Sequence, residues 1–229
     1  MTPGWLRVDM HLHTHRSFDS LNEYGAILAA ARARGIDRLV ITDHNDIRGA
    51  LELRERAPEM VLVGEEVKTR EGFDVIGIFL RERIPKGTPA LETCMAIRAQ
   101  GGIVYLPHPF DRRGPARAGM LDRLAELVDV IEVHNPRCWP ISRNARAAAW
   151  AEARGKLMGA GSDAHTIREI GRGFVEVPEF TADRDSFLSA LARASVNGIS
   201  STSPLMRIAS NWAKLRKVAP FRPRLGPGA

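Results

Sequence analysis

Short apolar runs rich in Val, Ile and Leu alternate along this chain with Ala- and Arg-rich segments of helical period, about seven times over. No other feature narrows the fold as much. Strands separated by helices pair side by side in parallel, with each helix crossing back over the sheet. Strands are expected over residues 6–10, 38–42, 61–63, 75–79, 103–106, 130–133, 157–160 and 174–177, and helices over 22–34, 47–56, 88–100, 121–127, 141–154 and 185–194. Gly35, the Gly101-Gly102 pair and Pro58 supply the stops. The expected architecture is α/β, a distorted (βα)7 barrel, with an open doubly wound sheet as the alternative. No Gly-rich loop follows the first strand, so a dinucleotide-binding fold lacks its usual support.

The length, 229 residues, suits one core. No apolar run is long enough to cross a membrane as a helix, and residues 1–10 lack the charged start and apolar stretch of a secretory signal. A cytoplasmic location is therefore expected. Two cysteines, Cys94 and Cys138, make no disulfide framework and are expected as buried thiols. The net charge is +6, but seven basic and no acidic residues follow Asp185, so the body is close to neutral. The expected division is a barrel over 1–200 and a basic segment over 201–229. In that segment Leu205, Ile208, Trp212 and Leu215 recur at helical spacing before a Pro- and Gly-rich end.

Chemistry concentrates where strands end. Of seven histidines, His11 and His13 follow the first strand, His44 the second, and His108, His134 and His165 three later ones. Asp19, Glu65, Glu66 and Asp163 fall in the same places. In a barrel the loops after the strands converge on one mouth, so residues far apart in sequence meet. His-x-His alone is moderate evidence and Asp-x-His alone is weak; at five strand ends together such groups point to a site. Imidazole with carboxylate suits zinc, manganese or iron, and this many donors exceed one tetrahedral ion. Two or three divalent metal ions are expected.

Taken in order, Asp9-Met10-His11-Leu12-His13-Thr14, Thr42-Asp43-His44, Gly64-Glu65-Glu66, His108-Pro109, Glu132-Val133-His134-Asn135 and Gly161-Ser162-Asp163-Ala164-His165 resemble the motifs of the PHP (polymerase and histidinol phosphatase) family. The segment Glu169-Ile170-Gly171-Arg172-Gly173 resembles the one after the last motif in stand-alone members. The resemblance implies a metal centre at the C-terminal ends of the strands of a distorted (βα)7 barrel. Carried over by position, His11 and His13 bind one metal with Glu66 and Asp163. Asp19, with His15 as a competitor, binds a second with His44 and His165. Glu66 bridges to a third, held also by His108 and His134. Glu66, Asp163 and His165 are the expected catalytic residues. Glu65 is expected to point the other way, and Asp9 and Asp43 either orient ligating imidazoles or cap strands.

The expected function is hydrolysis of a small phosphomonoester, a nucleotide or a histidinol-phosphate-like ester, by in-line attack of a metal-bridging hydroxide. Arg137 and Arg143 are the expected phosphate contacts, with Lys68, Arg112 and Arg113 next. Two other readings stand beside it. One is a phosphodiesterase on nucleic acid ends, helped by the basic tail; the other is a barrel that binds partners without catalysis.

Overall fold

The structure, a computed structural model, describes residues 4–111, 114–116, 119–198 and 217. The expected amphipathic helix over 205–215 lies outside the described residues, as do Arg112 and Arg113. Among the described residues nine strands and six helices occur in the order β1 (Trp5–Leu12), α1 (Tyr24–Ala33), β2 (Arg38–Ile41), α2 (Arg48–Arg56), β3 (Val61–Lys68), β4 (Asp74–Ile78), α3 (Ala90–Ala99), β5 (Ile103–Leu106), α4 (Leu121–Leu124), β6 (Val130–His134), α5 (Ser142–Ala153), β7 (Leu157–Ala160), β8 (Gly173–Pro178), α6 (Arg184–Leu191) and β9 (Ser195–Gly198). None of the described helices is long and apolar enough to cross a membrane.

The strands form one sheet in the order β7-β6-β5-β4-β3-β2-β1-β8-β9. It curls until β7 lies against β1, β8 and β9, which nearly closes a barrel. The expectation of a wholly parallel sheet needs correction. Pairs β1–β2, β2–β3, β5–β6 and β6–β7 are parallel, but β4 runs antiparallel to both neighbours, and β8 to β1 and β9. The cause is loop length. Residues 69–73 join β3 to β4 as a turn in which Thr69 N donates to the Phe73 carbonyl at 2.9 Å. A parallel crossover needs about a dozen residues. Strand β3 also runs on to Lys68, so Glu65 and Glu66 lie within it rather than beyond its end.

Two cores follow from strand alternation. Val8, Met10, Val40, Leu62, Ile76, Tyr105 and Val130 fill the barrel interior, and Phe187 of α6 plugs its foot beside Phe180, ring centroids 4.6 Å apart. Leu39, Ile41, Val61, Val63, Val104 and Ile131 face the outer helices instead. Each fully buried aliphatic or aromatic side chain stabilises the fold by about 1.5–3 kcal/mol. The foot also holds a cavity of about 770 Å³, lined by Arg54, Arg81, Arg98 and Arg184 around Val61–Val63. The candidate chemistry lies at the opposite end, where the parallel strands finish.

Candidate metal centre

Two strand irregularities shape the mouth. The β1–β2 register shifts between Asp9 and Leu12, and the β6–β7 register between Glu132 and His134. Beyond β1 the chain zips onto the loop after β7: Asp163 N donates to the His11 carbonyl at 2.7 Å and His13 N to the Ala164 carbonyl at 3.0 Å. This approach needs Gly161, because a Cβ there would stand 2.3 Å from His11 Cβ and 2.6 Å from His11 N. His108 and Asp163 both adopt positive φ, 31° and 51°. For residues with a Cβ that is a strained conformation of the kind that collects at functional sites.

The side chains converge on four overlapping donor sets: His11, His13 and Asp163; His11, Glu66 and His108; His13, His44 and His165; and His44, Glu66 and Asp74. In each set the ligand atoms lie within 4.8 Å of one another. Asp19 joins from the β1–α1 loop, its Oδ1 3.3 Å from His165 Nε2 and 3.6 Å from His44 Nε2. His15 turns away instead, with Nδ1 3.5 Å from Glu23 and its ring on Tyr24 at 4.6 Å. Eight of the nine sequence-expected ligands thus meet at one place.

His134 is the ninth, and none of the four sets contains it. Strand alternation would put it on the face of Glu132, but the register shift between the two breaks that alternation. Its Nε2 stands beside Gly198 of β9, 2.4 Å from where a Cβ on that glycine would be. Asp74 is the donor that the sequence reading missed. It starts β4 opposite Lys68, and only that hairpin register brings it to Glu66. Lys68, expected near a phosphate, instead donates to Asp74 at 2.5 Å.

Surrounding groups set the tautomers. His11 Nδ1 lies 3.0 Å from Glu132 Oε1, and His13 Nδ1 lies 3.0 Å from Ser17 Oγ. That hydroxyl donates to Asp43 Oδ1 at 2.6 Å, so it accepts from His13. Both imidazoles thus hold a proton on Nδ1, and once Nε2 is deprotonated its lone pair faces the centre. The two Nε2 atoms are only 3.2 Å apart, with Glu66 and Asp163 oxygens 3.3–3.6 Å away. Buried Asp74 Oδ1 accepts no hydrogen bond from any described residue, and buried Glu66 Oε2 has His44 Nδ1 2.9 Å away but out of good hydrogen-bond alignment. Facing lone pairs and carboxylate oxygens repel unless a cation lies among them, so this donor set fits divalent metal ions.

Electrostatics agrees. Burial disfavours a proton on His11, but Asp163, Glu132 and Glu66 outweigh it and hold its pKa well above the ordinary value. Burial acts likewise on His108, and Glu66 raises it to about 9. His13 goes the other way, to about 3, through burial and the charges of His165 and His44. Burial opposes ionisation of Glu66, yet His44 and His11 hold it well below the carboxylate range. Without metal, protons on the imidazoles balance the carboxylates; metal uptake must release them.

Second-layer carboxylates fix this geometry. Glu132 is wholly buried and accepts from His11 Nδ1, Tyr105 Oη at 3.1 Å, His108 N at 2.8 Å and Asn135 Nδ2 at 2.9 Å. Asp43 accepts from Thr14 N and Oγ1 at 2.8 and 2.6 Å as well as from Ser17. Asp9 accepts from Ser162 N at 2.8 Å and Gly171 N at 2.9 Å, and burial raises its pKa to about 6. Asp43 thus orients an imidazole through Ser17, whereas Asp9 ties loops together. Glu65 points away from the centre, accepting from Ile84 N at 2.8 Å. Of the expected phosphate contacts, Arg137 reaches the centre, its Nε 3.8 Å from Asp163 Oδ2 and its Nη1 on Glu169 at 2.7 Å. Arg143 is tied to Asp111. Both cysteines are buried and free.

Known proteins are similar to this chain in sequence and in fold. The PHP domain profile matches residues 9–126 and the PHP-associated profile residues 142–196. An uncharacterized protein of Methanocaldococcus jannaschii, MJ0417, is 33% identical over 214 residues, covering 91% of this chain and 86% of that protein. Among solved structures, a two-domain Bacteroides vulgatus protein containing a predicted PHP-like metal-dependent phosphoesterase superposes with a TM-score of 0.71 at 20% identity, over 85% of this chain and 65% of that one. The lesion-specific endonuclease PfuEndoQ of Pyrococcus furiosus gives a TM-score of 0.62 at 14% identity, over 84% of this chain and 57% of that one. The structural likenesses establish a shared fold, and the sequence matches go further: the chain belongs to the PHP domain family.

Proposed function

We propose that the chain is a metal-dependent phosphoric ester hydrolase acting on a small phosphomonoester. The observation that carries this reading is the pair of Nε2 atoms of His11 and His13, 3.2 Å apart among Glu66, Asp163, His44 and His165. Since each Nε2 can serve one ion, His11, His13 and Asp163 would hold one, His44 and His165 with Asp19 a second, and Glu66 with His108, Asp74 beside it, a third. Bound divalent ions supply Lewis acidity toward phosphoryl oxygens and make water acidic enough to attack near neutral pH.

The chain's own groups do the rest. Glu132 and Ser17 keep the His11 and His13 protons on Nδ1, so that Nε2 stays free to ligate. His165 Nδ1 donates to the Asp163 carbonyl at 2.8 Å, which likewise leaves its Nε2 for the centre. Arg137 brings a fixed guanidinium to the same place, held by Glu169, which in turn accepts from His165 N at 3.1 Å and Thr166 N at 2.9 Å. That guanidinium offers a phosphate oxygen a charge-assisted hydrogen bond.

Hydrolysis of p-nitrophenyl phosphate, its bis-ester and a 5′-labelled oligonucleotide by manganese- or zinc-loaded protein tests this reading. Turnover of the monoester, lost in Glu66→Ala and Asp163→Ala together with metal binding, is the expected result. No turnover of any ester with metal verified in the protein would overturn it and favour the non-catalytic module.

One observation favours nucleic acid ends as a second reading. Lys217, from the basic segment, donates to the His15 carbonyl at 2.5 Å and to that of Ser17, on the loop that carries Asp19. A cation there stands where a strand's next phosphate could be met. Oligonucleotide binding that weakens steeply with salt, and is lost on deleting residues 204–229, is the outcome this reading requires.

A further inference from the structure

The cavity at the foot of the barrel takes no part in the chemistry of the mouth, yet its lining is strongly basic. Arg54, Arg81, Arg98 and Arg184 face about 770 Å³ of space together with two carboxylates, Asp183 and Asp185. That volume suits a small-molecule site. The arginines come from four separate places: Arg54 from α2, Arg81 from the loop after β4, Arg98 from the end of α3 and Arg184 from the start of α6. A cleft lined by one sign of charge focuses the field and draws in ligands of the opposite sign.

Two of the four are already balanced. Arg98 donates to Asp129 Oδ1 at 3.1 Å and to the Leu127 carbonyl at 3.0 Å. Arg184 donates to Asp185 Oδ1 at 2.8 Å and to the Gly102 carbonyl at 3.3 Å. Asp183 is engaged at the start of α6, where it accepts from Ser186 N at 2.9 Å. Arg54 and Arg81 differ: neither side chain forms an ion pair or a hydrogen bond with any described residue. One exposed arginine of this kind is ordinary. Here two stand on one concave surface whose lining sets four guanidinium groups against two carboxylates. The wall that carries Arg81 is also held in place. Gln100 Oε1 accepts from Arg81 N and Glu82 N, both at 2.9 Å, and its Nε2 donates to the Glu82 carbonyl at 3.1 Å. Phe79, on the same wall, has a φ of 64° and donates from its N to the Val63 carbonyl at 2.7 Å. For a bulky side chain that conformation is strained, and such strain gathers at ligand clamps.

We infer that the foot cavity is a second ligand site, for a small organic phosphate whose dianionic head is held by Arg54 and Arg81. Phosphate suits these two groups better than carboxylate does. Its oxygens point in several directions, so guanidinium groups from α2 and from the loop after β4 can each take their own, whereas the two oxygens of a carboxylate lie in one plane and are filled by a single guanidinium. The two negative charges match the excess of positive charge on the lining. Space beyond the head accommodates an organic body beside Val61–Val63 and Phe79. This site is separate from the metal centre and stands whether or not the mouth hydrolyses esters.

The test is titration of the zinc-loaded full chain with phenylphosphonate, whose C–P bond resists hydrolysis, followed by backbone amide resonances so that foot and mouth are read separately. The amides of Arg81, Gly101 and Gly102 should shift saturably, and should still do so after a chelator has removed the zinc. Arg54→Ala and Arg81→Ala should each weaken the response at the foot about tenfold or more. Both should leave the response at the mouth and the melting temperature unchanged, since neither side chain has a partner to lose. Phthalate, a dicarboxylate on the same ring, should bind the foot more weakly than phenylphosphonate. Absence of a saturable shift at the foot overturns the site. So does a response that survives both arginine substitutions, or one that vanishes with the zinc and is thus an echo of binding at the mouth. Phthalate bound as tightly as phenylphosphonate overturns the choice of phosphate. Binding of hexaglutamate without binding of phenylphosphonate overturns the small ligand in favour of an acidic peptide.

Discussion

Replacing Glu132 by Gln removes one charge and no volume, and the structure says what must follow. The carboxylate accepts four hydrogen bonds: His11 Nδ1 and Tyr105 Oη on Oε1, His108 N and Asn135 Nδ2 on Oε2. An amide offers one oxygen and one NH2. If its oxygen stays with His11 and Tyr105, the NH2 meets the His108 N–H, which cannot change role. If the oxygen turns to His108, His11 must accept on Nδ1 and carry its proton on Nε2, the atom that faces His13 and the carboxylates. Either way two bonds to a charged acceptor are lost, at about 1.5–3 kcal/mol each before any re-pairing, so a net loss of about 3 kcal/mol is expected. The second arrangement also blocks a ligand, and loss of such outer partners weakens metal binding by about 10–100-fold. Urea unfolding in chelator gives the first quantity, and competitive titration with a metal-binding dye gives the second. Tyr105→Phe is the control. It removes a donor but leaves the His11 contact, so it should cost about 1 kcal/mol and leave metal affinity unchanged. A Glu132→Gln variant with wild-type metal affinity would refute the tautomer argument, whatever its stability.

Three further outcomes follow from the same structure. Burial raises Glu65 from 4.5 to about 7, and its Oε1 accepts no hydrogen bond from any described residue. A carboxyl raised on folding favours the native state below its unfolded pKa, and that contribution is lost as pH rises from about 4.5 through about 7, a swing of about 3 kcal/mol. Glu65→Gln should therefore flatten stability between pH 5 and 8 in chelator, and an unchanged pH profile by urea unfolding would count against it. Gly161→Ala should lower stability by about 3 kcal/mol or more and abolish metal uptake, because the new methyl meets the His11 backbone, which cannot give way; a wild-type melting temperature would show that the two strands are not so close. Asp74→Asn should reduce metal stoichiometry or affinity whereas His134→Ala should not, as read by elemental analysis after dialysis; the reverse pattern would restore the ligand set expected from sequence.

That last contrast shows where the sequence stops being readable. His11, His13, His44 and His165 were found because each follows a run whose period marks a strand, and a barrel brings such ends together whatever the loops do. The inference needs only local pattern plus one global rule. His134 satisfies the same pattern, yet a single register shift between Glu132 and His134 turns it toward Gly198. A bulge of one residue reverses which face a side chain takes, and nothing in Glu132-Val133-His134-Asn135 announces it. Asp74 fails for the complementary reason. It sits in Phe73-Asp74-Val75, an unremarkable strand start, and becomes a candidate ligand only because the short turn over 69–73 pairs Asp74 with Lys68 and so sets it near Glu66. The antiparallel direction of β4 follows from the same turn, whose five residues a reading that ended β3 at residue 63 could not see. Glu132 lay within a quoted motif, but its role requires knowing that four donors from β1, β5 and the loops after β5 and β6 all point at it. Residue type and strand period therefore locate a metal centre to within one barrel mouth. Deciding which donors enter it depends on register, a non-local quantity set by turns and bulges, and single substitutions at His134 and Asp74 measure that register directly.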